Sequence, residues 1–132
     1  MIISVLNNKT LFNFLKGVLL LSIVIGCKNN PQLPDPLEAG WEGEKVCEVL
    51  EENEHVRVLK CTFPPTVGHE KHFHPRHFGY TLKGGKMKIQ DSEGVREVDI
   101  PTGYSFYNDF VEWHEVENIG DSTSVFLIIE PK

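Results

Sequence analysis

Past Gly40 the chain is cut at short intervals by turn-forming residues: Gly84-Gly85, Asp91-Ser92-Glu93-Gly94, Pro101-Thr102-Gly103 and Asn118-Ile119-Gly120-Asp121. Between these breaks no helical period is sustained, whereas polar and apolar residues alternate, as in Lys86-Met87-Lys88-Ile89 and Glu97-Val98-Asp99-Ile100. Alternation with a period of two marks half-buried strands. The unbroken apolar run Val125 to Ile129 marks a strand buried on both sides or packed in a sandwich core. The pattern predicts an all-β chain of seven or eight strands near 45–50, 55–63, 72–83, 86–91, 95–100, 104–107, 113–118 and 124–130. Short strands hide their edges most simply by closing into a small barrel. There is no internal repeat, no glycine-rich phosphate loop, no Gly-x-Ser-x-Gly turn and no His-Glu-x-x-His helix, which removes several enzyme classes.

Residues 1–27 are expected to be a secretion signal rather than part of the fold. Lys9 and Lys16 give a basic start, and the apolar run Gly17 to Gly26 is about half the length that spans a bilayer. Its end, Val24-Ile25-Gly26-Cys27, resembles the lipobox of bacterial lipoproteins. That resemblance implies export, lipid attachment at Cys27 and a membrane-anchored place in the cell envelope, with Lys28 leaning toward the outer membrane. Residues 28–40 carry three prolines and no apolar period, the composition of a tether, so the domain is expected over 41–132. The chain has 19 acidic against 13 basic residues, two of the latter being Lys9 and Lys16. So acidic an exported part makes nucleic acid an unsuitable partner. The cluster from Glu42 to Glu54 reads as a solvated face. A hairpin turning near Glu54 would set Cys47 opposite Cys61, and outside the cytoplasm the two either pair or remain two buried thiols.

His72-Phe73-His74-Pro75 sets two imidazoles on one face of a strand, with Cα atoms roughly 6.5–7 Å apart. Pro75 biases His74 toward extended backbone. His114 shares a strand face with Val116 and not with Glu115 or Glu117, so it is expected to point inward. A lone inward histidine is ordinarily satisfied by a hydrogen bond. Three that converge form a nitrogen cage with open positions for a divalent ion. His55 and His69 fall at a turn and at a strand approach and receive no role, and Glu70 is read as surface despite sharing the parity of His72.

These residues resemble the two motifs of the cupin superfamily of small jelly-roll barrels. The first motif is Gly, five residues, His-x-His, three or four residues, Glu, six residues, Gly; here it reads Thr66, His72-Phe73-His74, His77 and Gly84. The second is Gly, five residues, Pro-x-Gly, two residues, His, three residues, Asn; here it reads Gly103, Asp109-Phe110-Val111, His114 and Asn118. The likeness spans residues 45–131. It implies a single jelly-roll barrel with metal ligands at His72, His74 and His114. His77 stands where many members place a glutamate, in a gap one residue shorter than the pattern, and is a candidate fourth ligand. If Gly85 is the equivalent glycine, Phe78 takes that place and the ligand is missing. Asp109 and Val111 replace the proline and glycine of the second motif.

The implied cofactor is a divalent ion: zinc, iron, nickel, copper or manganese. With imidazole in place of carboxylate the ion keeps its full charge and should attract an anionic ligand. Three functions fit. One is a binding module holding a small molecule against aromatic walls such as Phe106, Trp113 and Phe78. Another is a metal-dependent oxygenase, isomerase or decarboxylase acting on a small carboxylate or sugar, with Tyr80, Tyr104, Tyr107 and Glu112 at the mouth. The third is a metal-free structural or binding barrel. Pairing of two copies through outer strands is a further expectation from the resemblance.

Overall fold

Alternation is realised as strands throughout residues 32–132, the part of the chain that the computed structural model describes. The expected leader 1–27, with Cys27, and the start of the linker lie outside the described residues. Among those described there is no helix. The strands are β1 (Gly40–Trp41), β2 (Glu44–Lys45), β3 (Cys47–Glu52), β4 (Val56–Phe63), β5 (Gly68–His74), β6 (His77–Lys83), β7 (Gly85–Asp91), β8 (Gly94–Ile100), β9 (Ser105–Asn108), β10 (Val111–Asn118) and β11 (Ser124–Pro131).

Nine of these build two antiparallel sheets, ordered β3-β4-β11-β6-β9 and β5-β10-β7-β8, while β1 and β2 form a small ribbon. The fold is an all-β jelly-roll barrel. It has one more long strand than the sequence pattern predicts, because the expected strand 72–83 is two. Pro75 lacks the N–H that a continuous ladder requires. The chain breaks at Pro75-Arg76, sending β5 into one sheet and β6 into the other.

The core lies between the sheets, where Leu59, Cys61, Phe63, Met87, Phe126 and Ile128 meet. Strand β11 shows how the sequence selects this. Ser124, Phe126, Ile128 and Glu130 face inward and are buried, while Val125, Leu127 and Ile129 are half-buried on the outer face. Flanked by β4 and β6, β11 is central in its sheet, hence its continuous apolar run. Strands β3 and β4 turn at Asn53, whose Oδ1 accepts from the backbone N–H of His55 at 2.9 Å and of Val56 at 3.1 Å. The hairpin register places Cys47 opposite Cys61, and the two form a disulfide.

The compact unit begins at Leu33, so the described part of the segment read as tether is a strap laid on the barrel. Its prolines suggest extended chain, and extended chain can dock as readily as dangle. Asp35 Oδ1 accepts from Leu37 N and Glu38 N at 2.8 and 2.9 Å, and its Oδ2 takes Arg57 Nη1 at 2.7 Å. Phe73 N donates to Pro34 O at 3.2 Å. Pro36 and Ala39 are buried beneath the turn.

Candidate metal centre

Strand β5 carries His72 and His74, and its partner β10 carries His114 directly opposite His72. The expected convergence is present. His72 Nε2 lies 2.9 Å from His74 Nε2 and 3.0 Å from His114 Nε2, and one nitrogen from each of the three falls within 4.8 Å of the others. His72 and His74 are buried and His114 nearly so.

The tautomers follow from the other ring nitrogens. His72 Nδ1 is 2.6 Å from the Glu70 carbonyl oxygen; a carbonyl only accepts, so this nitrogen holds the proton and Nε2 is a bare lone pair. His74 Nδ1 faces Glu130 Oε1 at 3.7 Å, beyond hydrogen-bond distance, and neither atom has a hydrogen-bond partner among the described residues. A buried carboxylate behind a ligating imidazole fixes the ring and raises its basicity. Glu130 is itself fixed, because Arg57 Nε donates to its Oε2 at 2.5 Å while the same guanidinium holds Asp35. A continuous chain thus runs from the strap through Asp35, Arg57 and Glu130 to His74.

Burial also sets the charge state. Desolvation holds His72 down to about 4, partly offset by the Glu70 carbonyl. His74 and His114 lie well below the usual imidazole range, first through desolvation and then through one another and their histidine neighbours. Neutral imidazoles are the form that binds metal. At about 3 Å the bare His72 Nε2 can accept a hydrogen bond from an Nε2–H of His74 or His114, and a cation can take the place of that proton. Tetrahedral Zn–N bonds of ~2.1 Å would separate adjacent nitrogens by ~3.4 Å, a few tenths of an ångström more than the two distances above. The donor set therefore fits a divalent ion, with the side toward the cavity left open.

His77 is brought beside the three but not into their group. It is buried whereas Phe78 is exposed, so His77 and not Phe78 takes the inward place on β6. Its ring centroid lies 4.6 Å from that of His74, but Nδ1 is tied to Pro75 O at 2.8 Å and Nε2 to Asn108 Nδ2 at 3.4 Å. Glu70 is exposed and accepts from Glu42 N at 3.0 Å. Asn118 is structural: its amide donates to Phe63 O and Ser122 O at 2.7 and 2.8 Å.

His69 belongs to this cluster and was not legible in the sequence. Between the pairs His114 with His72 and Val116 with His69, β5 advances three residues against two on β10. This bulge reverses strand parity, leaving Glu70 and Lys71 exposed and turning His69 inward. Its ring lies 3.8 Å from that of His72, and its Nε2 is buried without a partner. Desolvation, then the neighbouring His72, holds His69 down to about 3.

The cluster opens on a cavity of about 860 Å³. Phe106, Trp113, Tyr104 and Glu112 border it as expected. Phe78, Tyr80 and Tyr107 do not; they stand exposed because the inward row of β6 is His77, Gly79 and Thr81. Gly79 is required here, since a Cβ would meet the Phe106 ring at 2.1 Å.

No protein-family model matches the sequence, and no curated protein matches it either. Solved structures do. A cupin domain from Bordetella pertussis Tohama I superposes with a TM-score of 0.62 at 27% identity, covering 66% of this chain and 92% of that one. An RmlC-like cupin family protein with a double-stranded β-helix fold from Methanocaldococcus jannaschii gives 0.55 at 20% identity, over 65% and 78% of the two chains. A predicted oxalate decarboxylase from Thermotoga maritima gives 0.51 at 22% identity, over 65% and 79%. These structural neighbours are cupin-fold proteins.

Proposed function

We propose that this protein is an exported, lipid-anchored metal-binding cupin that holds a divalent ion on His72, His74 and His114 and a small molecule in the adjoining cavity. One observation carries the reading: three imidazoles, two buried and one nearly so, bring a ring nitrogen each to one place beside a cavity large enough for an organic ligand. Bound there, the ion would supply Lewis acidity and exchangeable coordination sites. The chain's own residues orient and insulate it. Glu70 O fixes the tautomer of His72, Glu130 stands behind His74, Arg57 holds Glu130, and the strap covers the closed side. His77, kept from the group by Pro75 O and Asn108, is a fourth nitrogen that comes into reach if its ring turns. The sequence Val24-Ile25-Gly26-Cys27 supports attachment through Cys27, and the Cys47–Cys61 bridge supports residence outside the reducing cytoplasm.

Elemental analysis tests the metal. Protein exposed to zinc, iron, nickel, copper and manganese should retain about one ion per chain, and a chelator should lower its melting temperature. His114→Ala should lose the ion and keep the fold. A wild-type chain that retains none and melts identically with chelator leaves only the barrel. Catalysis is the second reading, favoured because the cage opens toward Tyr104 and Glu112, groups able to move protons. It requires turnover: oxygen uptake or product formation by the metal-loaded protein that is absent in His114→Ala.

A further inference from the structure

Resting on the metal reading above, the wall of the cavity defines what the ion would be asked to hold. The inward residues of β7, β8, β9 and β11 that face the space are Ile89, Val98, Ile100, Phe106, Phe126 and Ile128, none with a side-chain hydrogen-bonding atom. The charged residues bordering it are Asp91, Glu93, Arg96, Asp99 and Glu112, four carboxylates against one guanidinium. That guanidinium is already engaged, since Arg96 Nη1 donates to Asp91 Oδ2 at 2.7 Å. Asp91 is in cross-strand register with His114, so a carboxylate stands next to a ligand of the proposed ion.

Such a site is poorly made for a short dicarboxylate. Oxalate can chelate the ion through both carboxylates, but it brings no hydrocarbon to set against the walls and would leave most of about 860 Å³ unfilled. The acidic border would repel it. An apolar body gains from the same walls, because its burial removes hydrocarbon surface from water on both partners, and a cavity of only ~150 Å³ already takes up benzene. We infer that the ligand is an uncharged or singly charged, ring-bearing molecule that presents an oxygen donor to the ion while its rings lie against β7, β8 and β11. This narrows the expectation of an anionic ligand: the ion attracts negative charge, but the carboxylates around it set a limit on how much.

Calorimetry on the full chain loaded with zinc, its zinc content measured beforehand, decides the matter with three probes: 2,3-dihydroxynaphthalene, naphthalene and oxalate. Dihydroxynaphthalene should bind at least tenfold more tightly than either of the others. Val98→Phe, which fills the space from β8 away from the imidazoles, should weaken dihydroxynaphthalene at least tenfold at unchanged zinc content. The exposed pair Glu93→Gln and Asp99→Asn, which does not disturb the core, should strengthen oxalate several-fold and leave dihydroxynaphthalene within twofold. Zinc uptake followed by oxalate binding as tight as dihydroxynaphthalene overturns the ligand class alone, as does indifference of dihydroxynaphthalene to Val98→Phe. Failure to take up zinc overturns the metal reading, and the oxygen-donor part of this inference with it.

Discussion

At the scale of single residues, two positions show what the fold demands of the sequence. Thr66 stands where the first cupin motif has glycine, and its φ is 67°, a left-handed conformation that a β-branched side chain adopts only under strain. Its N–H donates to Asn118 O at 2.9 Å, so the turn is held by a bond linking the entry of β5 to the exit of β10. Thr66→Gly should therefore raise stability by about 1 kcal/mol, relief of the left-handed strain exceeding the added entropy of the unfolded chain; Thr66→Ala should give no such gain. Urea unfolding of the two variants separates them. Glu130 is the second position. As the carboxylate behind His74 it is expected to tune metal affinity, so Glu130→Gln, nearly isosteric, should weaken zinc binding about 10-fold to 100-fold. Competition against a chromophoric chelator measures this, with circular dichroism confirming the fold. Equal affinity in variant and wild type would make Glu130 only an anchor for Arg57.

At the scale of elements, the legible and the hidden parts divide along physical lines. Period-two alternation located β7 and β8 because they pair in unbroken register, and an unbroken apolar run located β11 because it is flanked by strands on both sides. The cluster residues His72, His74 and His114 were readable because parity holds locally, between His72 and His74 on β5 and between His114 and Val116 on β10, although register shifts lie on both sides of His114. His69 was hidden because a bulge exists only in the pairing of two strands, and no single-strand pattern contains it. Glu130 was hidden because its partner Arg57 is set by the register of β11 on β4. The strap was hidden because proline-rich segments look alike whether docked or free, and only Asp35 meeting Arg57 distinguishes them. The β3–β4 hairpin was readable to the point of placing Cys47 across from Cys61, though not to the bond itself. That bond closes a loop with sequence separation 14, for which loop-closure entropy gives about 3 kcal/mol. Reductant should lower the unfolding free energy by roughly that amount, and the Cys47→Ser, Cys61→Ser double variant should match the reduced protein and show no response to reductant.

At the scale of the whole molecule, the jelly roll gathers several buried imidazoles at one place in its interior, and this links stability to pH. His69, His72, His74 and His114 are all held below the ordinary imidazole value, in each case with desolvation as the largest cause. In the unfolded chain each would take up a proton near pH 6.5. Between that pH and the folded values, which are about 4 for His72 and about 3 for His69, the unfolded state binds more protons than the folded one. Stability then rises with pH in that window and falls as acid is added. Each histidine contributes at most ~1.4 kcal/mol per pH unit. Asp35 acts in the same sense at lower pH. Burial raises its carboxyl, but Arg57 and the Glu38 and Leu37 amides outweigh this and hold it below its usual value, so the strap's anchor weakens only as pH falls through the acid range. Metal-stripped protein should thus lose stability steadily from about pH 7 to pH 5, well before the carboxylates titrate. The metal-loaded protein should start higher and fall more steeply, since protons and metal compete for the same nitrogens. Urea midpoints across that range, with and without zinc, are the measurement. A metal-stripped protein equally stable at both ends would mean that these imidazoles do not sit neutral and buried together.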